Sequence, residues 1–370
     1  MLLCPALMLG QAAPSSQSAV PATPATNATT SLPPATPAAR SAAPAAPAPG
    51  PSVPFPVMSA AAQKRARQLY DDFKHGQNAQ LYSFYSPTMK KRPNALAGLQ
   101  RAEQSIAKQW GTETEVLKET FVPDLRLPVT VYTRLAKFSK LKVPGLAVLV
   151  VDELGQLADI QFGPIPAVPP DRFSDYKTKT KLRLPFEGTW LVFSGGRSLA
   201  DNPLAASEEE RYGLSFALLK DGRVFSGDGT KNEDFFCFGQ PVLAPASGRI
   251  VRVVNAVPDN PPGKPMREVG NGNYVLIDHG DGEFSVLRNL RRNSIKLHQG
   301  KRVEQGDVVG ECGNSGTSIA PHLEFFLQNS SGIPLPRRLP AQFVDYLSNG
   351  RPVDSGEPTR GEMVGNKPAQ

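Results

Sequence analysis

The chain has 370 residues, 40% of them hydrophobic, so it is long and apolar enough for two cored domains and is not a wholly disordered polymer. The net charge is +7, yet the basic residues are scattered in short runs such as Lys90, Lys91 and Arg92 or Arg291 and Arg292. No nucleic-acid motif accompanies them, which argues against a nucleic-acid partner, and no segment reaches the roughly 18 apolar residues that an integral membrane span requires.

Residues 1–13 contain the apolar run LLCPALML followed by small residues at Gly10 and Ala12, the layout of a signal peptide before cleavage. No basic residue precedes that run, so the reading is a signal peptide whose start codon is placed too far downstream, and a chance apolar terminus is the alternative. Cys4 stands too near the start to be a lipid-attachment site. Residues 14–57 are Ala, Pro, Ser and Thr with Arg40 as their single charge. Such a composition cannot bury a core and predicts a disordered, proline-stiffened linker.

In the region 58–168, Ala62, Ala66, Leu69, Tyr70 and Phe73 recur at helical spacing until Gly76, and a second helical pattern runs from Ala95 to Trp110 and stops at Gly111. Three strand-like runs follow, TEVLKETFV, VTVYTRLAKF and LAVLVVDELGQLADIQF, with DELGQ as a hairpin tip. Helices followed by an antiparallel sheet make a small α+β accessory domain. Its layout resembles nuclear-transport-factor-like accessory domains. It carries no catalytic constellation, which leaves binding, oligomerisation or a structural role.

The region 184–346 reads as all-β. Alternating runs such as TWLVFSG, NYVLIDHG, EFSVLRNL and HLEFFLQ are punctuated by Gly, Asp, Asn and Pro, the pattern of a β-sandwich or partly closed barrel. Residues 347–370, rich in Gly, Pro and charge, are expected to be a disordered tail.

The succession PVLAPASGRIVRV, GNGNYVLIDHGDGEF and GKRVEQGDVVGECGNSGTSIAPHLEFFLQ resembles the lysostaphin or LytM-type zinc metalloendopeptidases of peptidoglycan, peptidase family M23, over roughly residues 185–330. A biotinyl or lipoyl carrier shares the look of PVLAPASGRI and KRVEQGDVVG, but needs an exposed hairpin-tip lysine that is absent here. The resemblance implies a zinc ion held by the His and Asp of an HxxxD element and by the second His of an HxH strand. A separate His, together with the first His of HxH, assists the bound water. Strand alternation explains the HxH spacing, because residues two apart share a face.

Carried onto this chain, HxxxD falls on RYGLS, with Arg211 and Ser215 at the ligand positions. HxH falls on His322 and Glu324, and the separate His falls on Asn289. Only His322 is kept, as a vestigial catalytic residue. A guanidinium repels a divalent cation and cannot be deprotonated to bind it, so no metal and no cofactor are expected. Zinc would enter only if ligands lay elsewhere, for which Asp201 and Glu208 to Glu210 are the nearby acids. With the ion gone, the Arg211 guanidinium is expected to pair with Glu324, or both to lie at the surface. His279, in VLIDHGDG, is expected to be a turn histidine bonded to backbone. Cys237 and Cys312 form either a disulfide or two buried thiols.

The implied protein is exported to the periplasm or cell envelope and catalytically inactive. Peptidoglycan or a cell-wall hydrolase is its partner, met by a groove floored by Arg211, Ser215, Asn289, His322 and Glu324. An active endopeptidase cutting cross-link peptides and a non-binding scaffold are the alternatives.

Overall fold

The computed structural model describes residues 60–368 apart from 169, 171 and 333–335. The expected signal peptide (1–13) and the whole of the expected linker (14–57) lie outside the described residues.

Four helices open the fold: α1 (Ala60–Lys74), α2 (Asn78–Ser83), α3 (Pro87–Lys90) and α4 (Ala95–Trp110). They precede an antiparallel meander of β1 (Glu113–Pro123), β2 (Val129–Phe138), β3 (Gly145–Asp152) and β4 (Leu157–Pro164). The helical periodicity of α1 puts Ala66, Leu69, Tyr70 and Phe73 on one face, where they meet Tyr132, Leu149 and Val151 of the sheet. Gly145 admits the end of α4, since a Cβ there would lie 2.6 Å from the Trp110 ring. The DELGQ tip is a hairpin whose Asp152 carboxylate accepts from the backbone N–H of Leu154 and Gln156.

The second part is built on one large sheet. In chain order its strands are β5 (Thr189–Ser194), β6 (Leu214–Ala217), β7 (Pro241–Leu243), β8 (Gly248–Val254), β9 (Asn273–Asp278), β10 (Phe284–Leu290), β11 (Arg302–Val303) and β12 (Val308–Glu311). They continue with β13 (Leu323–Gln328), β14 (Arg338–Leu339), β15 (Phe343–Ser348), β16 (Arg351–Gly356) and β17 (Met363–Asn366). The spatial order is β11-β8-β9-β10-β13-β6-β5-β17-β15-β16, with β14 on β13, while β7 and β12 pair separately.

Residues 351–356 and 363–366 therefore correct the expected disordered tail. Their Arg, Pro, Asp and Gly content reads as loop, but β16 is an edge strand, where proline costs no ladder bond, and β17 inserts between β5 and β15. Val364 is fully buried there.

Strand alternation gives the sheet two different faces. Val275, Ile277, Leu287, Leu323, Phe325 and Leu327 point into the main core. Each fully buried side chain of this size contributes about 1.5–3 kcal/mol. The intervening Leu276, Val286 and Phe326 form a separate cluster on the opposite face. On β5, β6 and β17, the residues of that opposite face, Leu191, Ala217 and Met363, are covered by Val122 and Leu125 from the end of β1 and just beyond it. A salt bridge from Lys118 to Asp201 at 2.8 Å, and a 3.0 Å bond from Lys118 to Thr359, fasten the same junction. The connecting segment is pinned by fully buried Glu283, which accepts from the Tyr176 hydroxyl and the backbone N–H of Lys179 and Thr180.

Among the described residues no helix is long and apolar enough to cross a membrane.

Candidate functional site

The site lies where β6, β13 and β10 run side by side. In the register of the sheet Glu324 is opposite Ser215 on one side and opposite Arg288 on the other. His322 stands one residue before β13, two residues from Glu324. Asn289 sits at an irregularity of β10 between Arg288 and Leu290, with a positive φ of 64°. Asparagine tolerates that conformation better than a bulkier residue, and the bulge turns its amide toward His322.

His322 is held in one protonation form. Its Nδ1 lies 2.8 Å from the Ala320 carbonyl, which can only accept, so Nδ1 carries the proton. Nε2 is left as an acceptor and takes the Asn289 amide at 3.1 Å. Burial pushes the pKa of His322 down, against the Nδ1–H bond to Ala320 that favours the charged form. The lone pair that could assist a water is thus engaged.

Glu324 is buried and doubly countered. Arg288 Nε donates to its Oε2 at 2.6 Å, and Arg288 Nη1 continues to Asn271 Oδ1 at 2.8 Å. Arg338 places Nη2 3.7 Å from Oε1 of Glu324. Burial opposes ionisation of Glu324, but the charges of Arg288 and Arg338 outweigh it and hold the carboxyl below its ordinary range. Arg338 is itself buried, donates from Nη1 to the Glu210 carbonyl at 2.7 Å, and lies 4.0 Å over the Phe326 ring. Burial pulls its pKa down to about 10, with Glu324 acting in the other direction.

Four of the residues singled out from sequence, Ser215, Asn289, His322 and Glu324, are therefore neighbours. The expected pairing of Arg211 with Glu324 is corrected: the guanidinium groups within ion-pair distance of Glu324 belong to Arg288 and Arg338. Arg211 donates from Nε to the Ser207 carbonyl at 3.2 Å and, with Val168, Pro170, Arg197 and Tyr212, lines a cavity of about 110 Å³. It is not at the surface either, being 4% exposed. Sequence reasoning missed Arg288 and Arg338. Arg288 had a signal, since it adjoins Asn289 on a strand that pairs with HLEFF. Arg338 had none, because it arrives from a separate short strand.

Three of the other nearby acids, Asp201, Glu208 and Glu210, have basic partners. Asp201 pairs with Lys118, Glu208 with Arg337 at 3.2 Å, and Glu210 lies 3.9 Å from Arg338. Among the described residues no three His, Cys, Asp or Glu side chains stand together as a metal site. The donors at the expected position are one carboxylate already bound by two guanidinium groups, a serine, and a histidine whose free nitrogen is capped. That set does not fit zinc: a divalent ion would sit against two fixed positive charges.

His279 bears out its expectation, with Nδ1 2.9 Å from the Ser247 carbonyl and Nε2 2.8 Å from Ser285 Oγ. Cys237 and Cys312 are buried free thiols, and Cys237 donates to the Pro321 carbonyl at 3.2 Å.

A family model described as peptidase family M23 matches residues 229–335. Lipoprotein NlpD of Yersinia enterocolitica is 30% identical over 103 residues, which cover 28% of this chain and 92% of that protein. A metalloprotease of Haemophilus influenzae is 32% identical over 104 residues, 28% of this chain and 19% of that one. The peptidoglycan DD-endopeptidase ShyC of Vibrio cholerae is 40% identical over 60 residues, 16% of this chain and 13% of that one. The chain thus spans less than a fifth of the length of these last two relatives.

Proposed function

The chain belongs to peptidase family M23, and from that premise we propose that it is an exported cell-envelope protein, catalytically silent, which uses the peptidase groove to bind peptidoglycan or to engage a cell-wall hydrolase. The observation that carries the reading is Glu324, bound by two guanidinium groups in the place where a hydrolytic member would need a metal ligand. The engagement of His322 Nε2 by Asn289 supports it, because it occupies the nitrogen that would act as a base beside Ser215 and Glu324. The similarity to a peptidoglycan endopeptidase supports the choice of wall polymer as partner. In this reading the α+β part, with its transport-factor-like layout, closes one end of the groove face through Val122 and Leu125. The signal peptide at 1–13 and the linker at 14–57 carry the protein into the periplasm or envelope and hold it at a distance from its anchor or wall.

The test is incubation of the purified full chain with peptidoglycan sacculi, alone and with a wall hydrolase. Silence predicts that no soluble muropeptide is released by the chain alone, and binding predicts that it sediments with the sacculi. Release of muropeptides would revive the active endopeptidase. A chain that stays in the supernatant and leaves the hydrolase rate unchanged would make it a scaffold.

A further inference from the structure

We propose that Arg338 is the resident cation of this site: its guanidinium, rather than a metal ion, ties the segment before β6 to Glu324 on β13. The inference goes beyond the proposed function and does not depend on wall binding.

Three contacts carry it. Arg338 Nη1 donates to the Glu210 carbonyl at 2.7 Å, one residue before the RYGLS element, and Nη2 lies 3.7 Å from Glu324 Oε1. The same guanidinium covers Phe326, the residue after Glu324 on that face, at 4.0 Å. The chain has made room for it. A Cβ on Gly213, in the middle of RYGLS, would fall 2.2 Å from Arg338 Nη1, so the backbone approaches the guanidinium more closely than any other residue type would allow. At 6% exposure and stacked on an aromatic face, this is a fixed charge and not a surface arginine folded inward. It joins the two chain segments that a shared ion would join, using a planar donor set that needs no deprotonated ligand and releases nothing to a chelator.

The replacement has a consequence for restoring a metal. Returning Asp and His to positions 215 and 324 sets two family-type ligands beside His322, on neighbouring strand positions, but leaves Arg338 next to them. A fixed positive charge at that distance repels a divalent ion strongly enough to weaken binding by at least ~100-fold.

The experiment compares two full-length variants in zinc binding, read by metal content after dialysis and by competition with a chromogenic chelator. Both carry Ser215→Asp, Glu324→His and Arg288→Ala, with His322 kept as the third donor, and one adds Arg338→Met. The expected result is about one zinc per chain only when Arg338 is removed. Equal zinc affinity in the two, or none in either folded variant, overturns the proposal. A single substitution guards against misfolding of the multiple variants. Millimolar methylguanidinium is expected to raise the melting temperature of Arg338→Ala relative to sodium chloride at the same ionic strength, and to leave the unsubstituted protein unchanged. No selective rise for Arg338→Ala overturns the proposal as well.

Discussion

Asn289 donates its side-chain amide to Nε2 of His322 across 3.1 Å, which fixes the histidine as a neutral Nδ1–H tautomer facing Ala320. Replacing Asn289 by Ala opens Nε2 to water. The histidine ring should then titrate closer to its ordinary value, and stability should fall by about 1 kcal/mol for the lost bond. An NMR titration of the ring protons checks the first point; a ring that still fails to protonate would show that burial alone holds it neutral.

Glu324 carries the negative charge for the buried guanidinium of Arg338 and the half-buried one of Arg288. Glu324→Gln leaves Arg288 and Arg338 inside without their carboxylate, and about 3–5 kcal/mol of stability should be lost. Urea unfolding measures it. A loss under about 1 kcal/mol would mean that the arginines relax to solvent at little cost.

Gly213→Ala should destabilise by about 1–3 kcal/mol, because its Cβ must displace Arg338 from the Glu210 carbonyl. If Gly213 matters only through this approach, the combination with Arg338→Ala should cost less than the sum of the two single changes. A thermal double-mutant cycle tests that.

The helix-side face of the smaller sheet holds a charged network. Glu113 accepts from Tyr70, Lys74 and Arg134, and Glu119 from Tyr132, Arg67 and Arg134. Burial would raise the carboxyl pKa of Glu113, but the bonds from Arg134, Tyr70 and Lys74 prevail and bring it down to about 2. Since the unfolded chain then binds the proton more readily than the folded one, the stabilisation is complete above the unfolded value near 4.5. It is lost as pH falls from there toward 2. Its size is on the order of 3 kcal/mol. Glu113→Gln should flatten the acid limb of a stability profile between pH 4.5 and 2; an unchanged limb would assign acid unfolding to other groups.

Cys237 and Cys312 should resist alkylation in the folded protein and react only after denaturation, since both are at most 1% exposed. Mass spectrometry after a timed iodoacetamide pulse reads this directly, and modification of the native protein at either position would contradict their burial.

Much of the fold was legible because its signals are local. The periodicity of Leu69, Tyr70 and Phe73, the stops at Gly76 and Gly111, and the alternation of HLEFFLQ each need only a few consecutive residues. The same alternation brought His322 and Glu324 to one face. Asn289 and Ser215 could be placed through family resemblance and the strand pattern. What could not be read was pairing between distant segments. Arg338 reaches Glu210 and Glu324 from a two-residue strand, and nothing in its own neighbourhood marks it. Arg211 misled for the opposite reason: its sequence position suggested the pocket, while its side chain lines the cavity near Arg197. The strands at 351–356 and 363–366 were missed because edge and closing strands owe their shape to partners elsewhere in the sheet.

The place of β17 also imposes an order of events during synthesis. The β1–β4 meander joins strands that are neighbours in the chain, so it can assemble as soon as they leave the ribosome. The large sheet is different, because Met363–Asn366 must fill the gap between Thr189–Ser194 and Phe343–Ser348. Until that strand arrives, β5 presents a bare hydrogen-bonding edge, with Leu191 and Trp190 on its two sides, to every other nascent chain. A truncation before Met363 would therefore do more than shorten the protein. It would leave that adhesive edge permanently exposed, and the expected fate of such a product is aggregation rather than a smaller soluble domain.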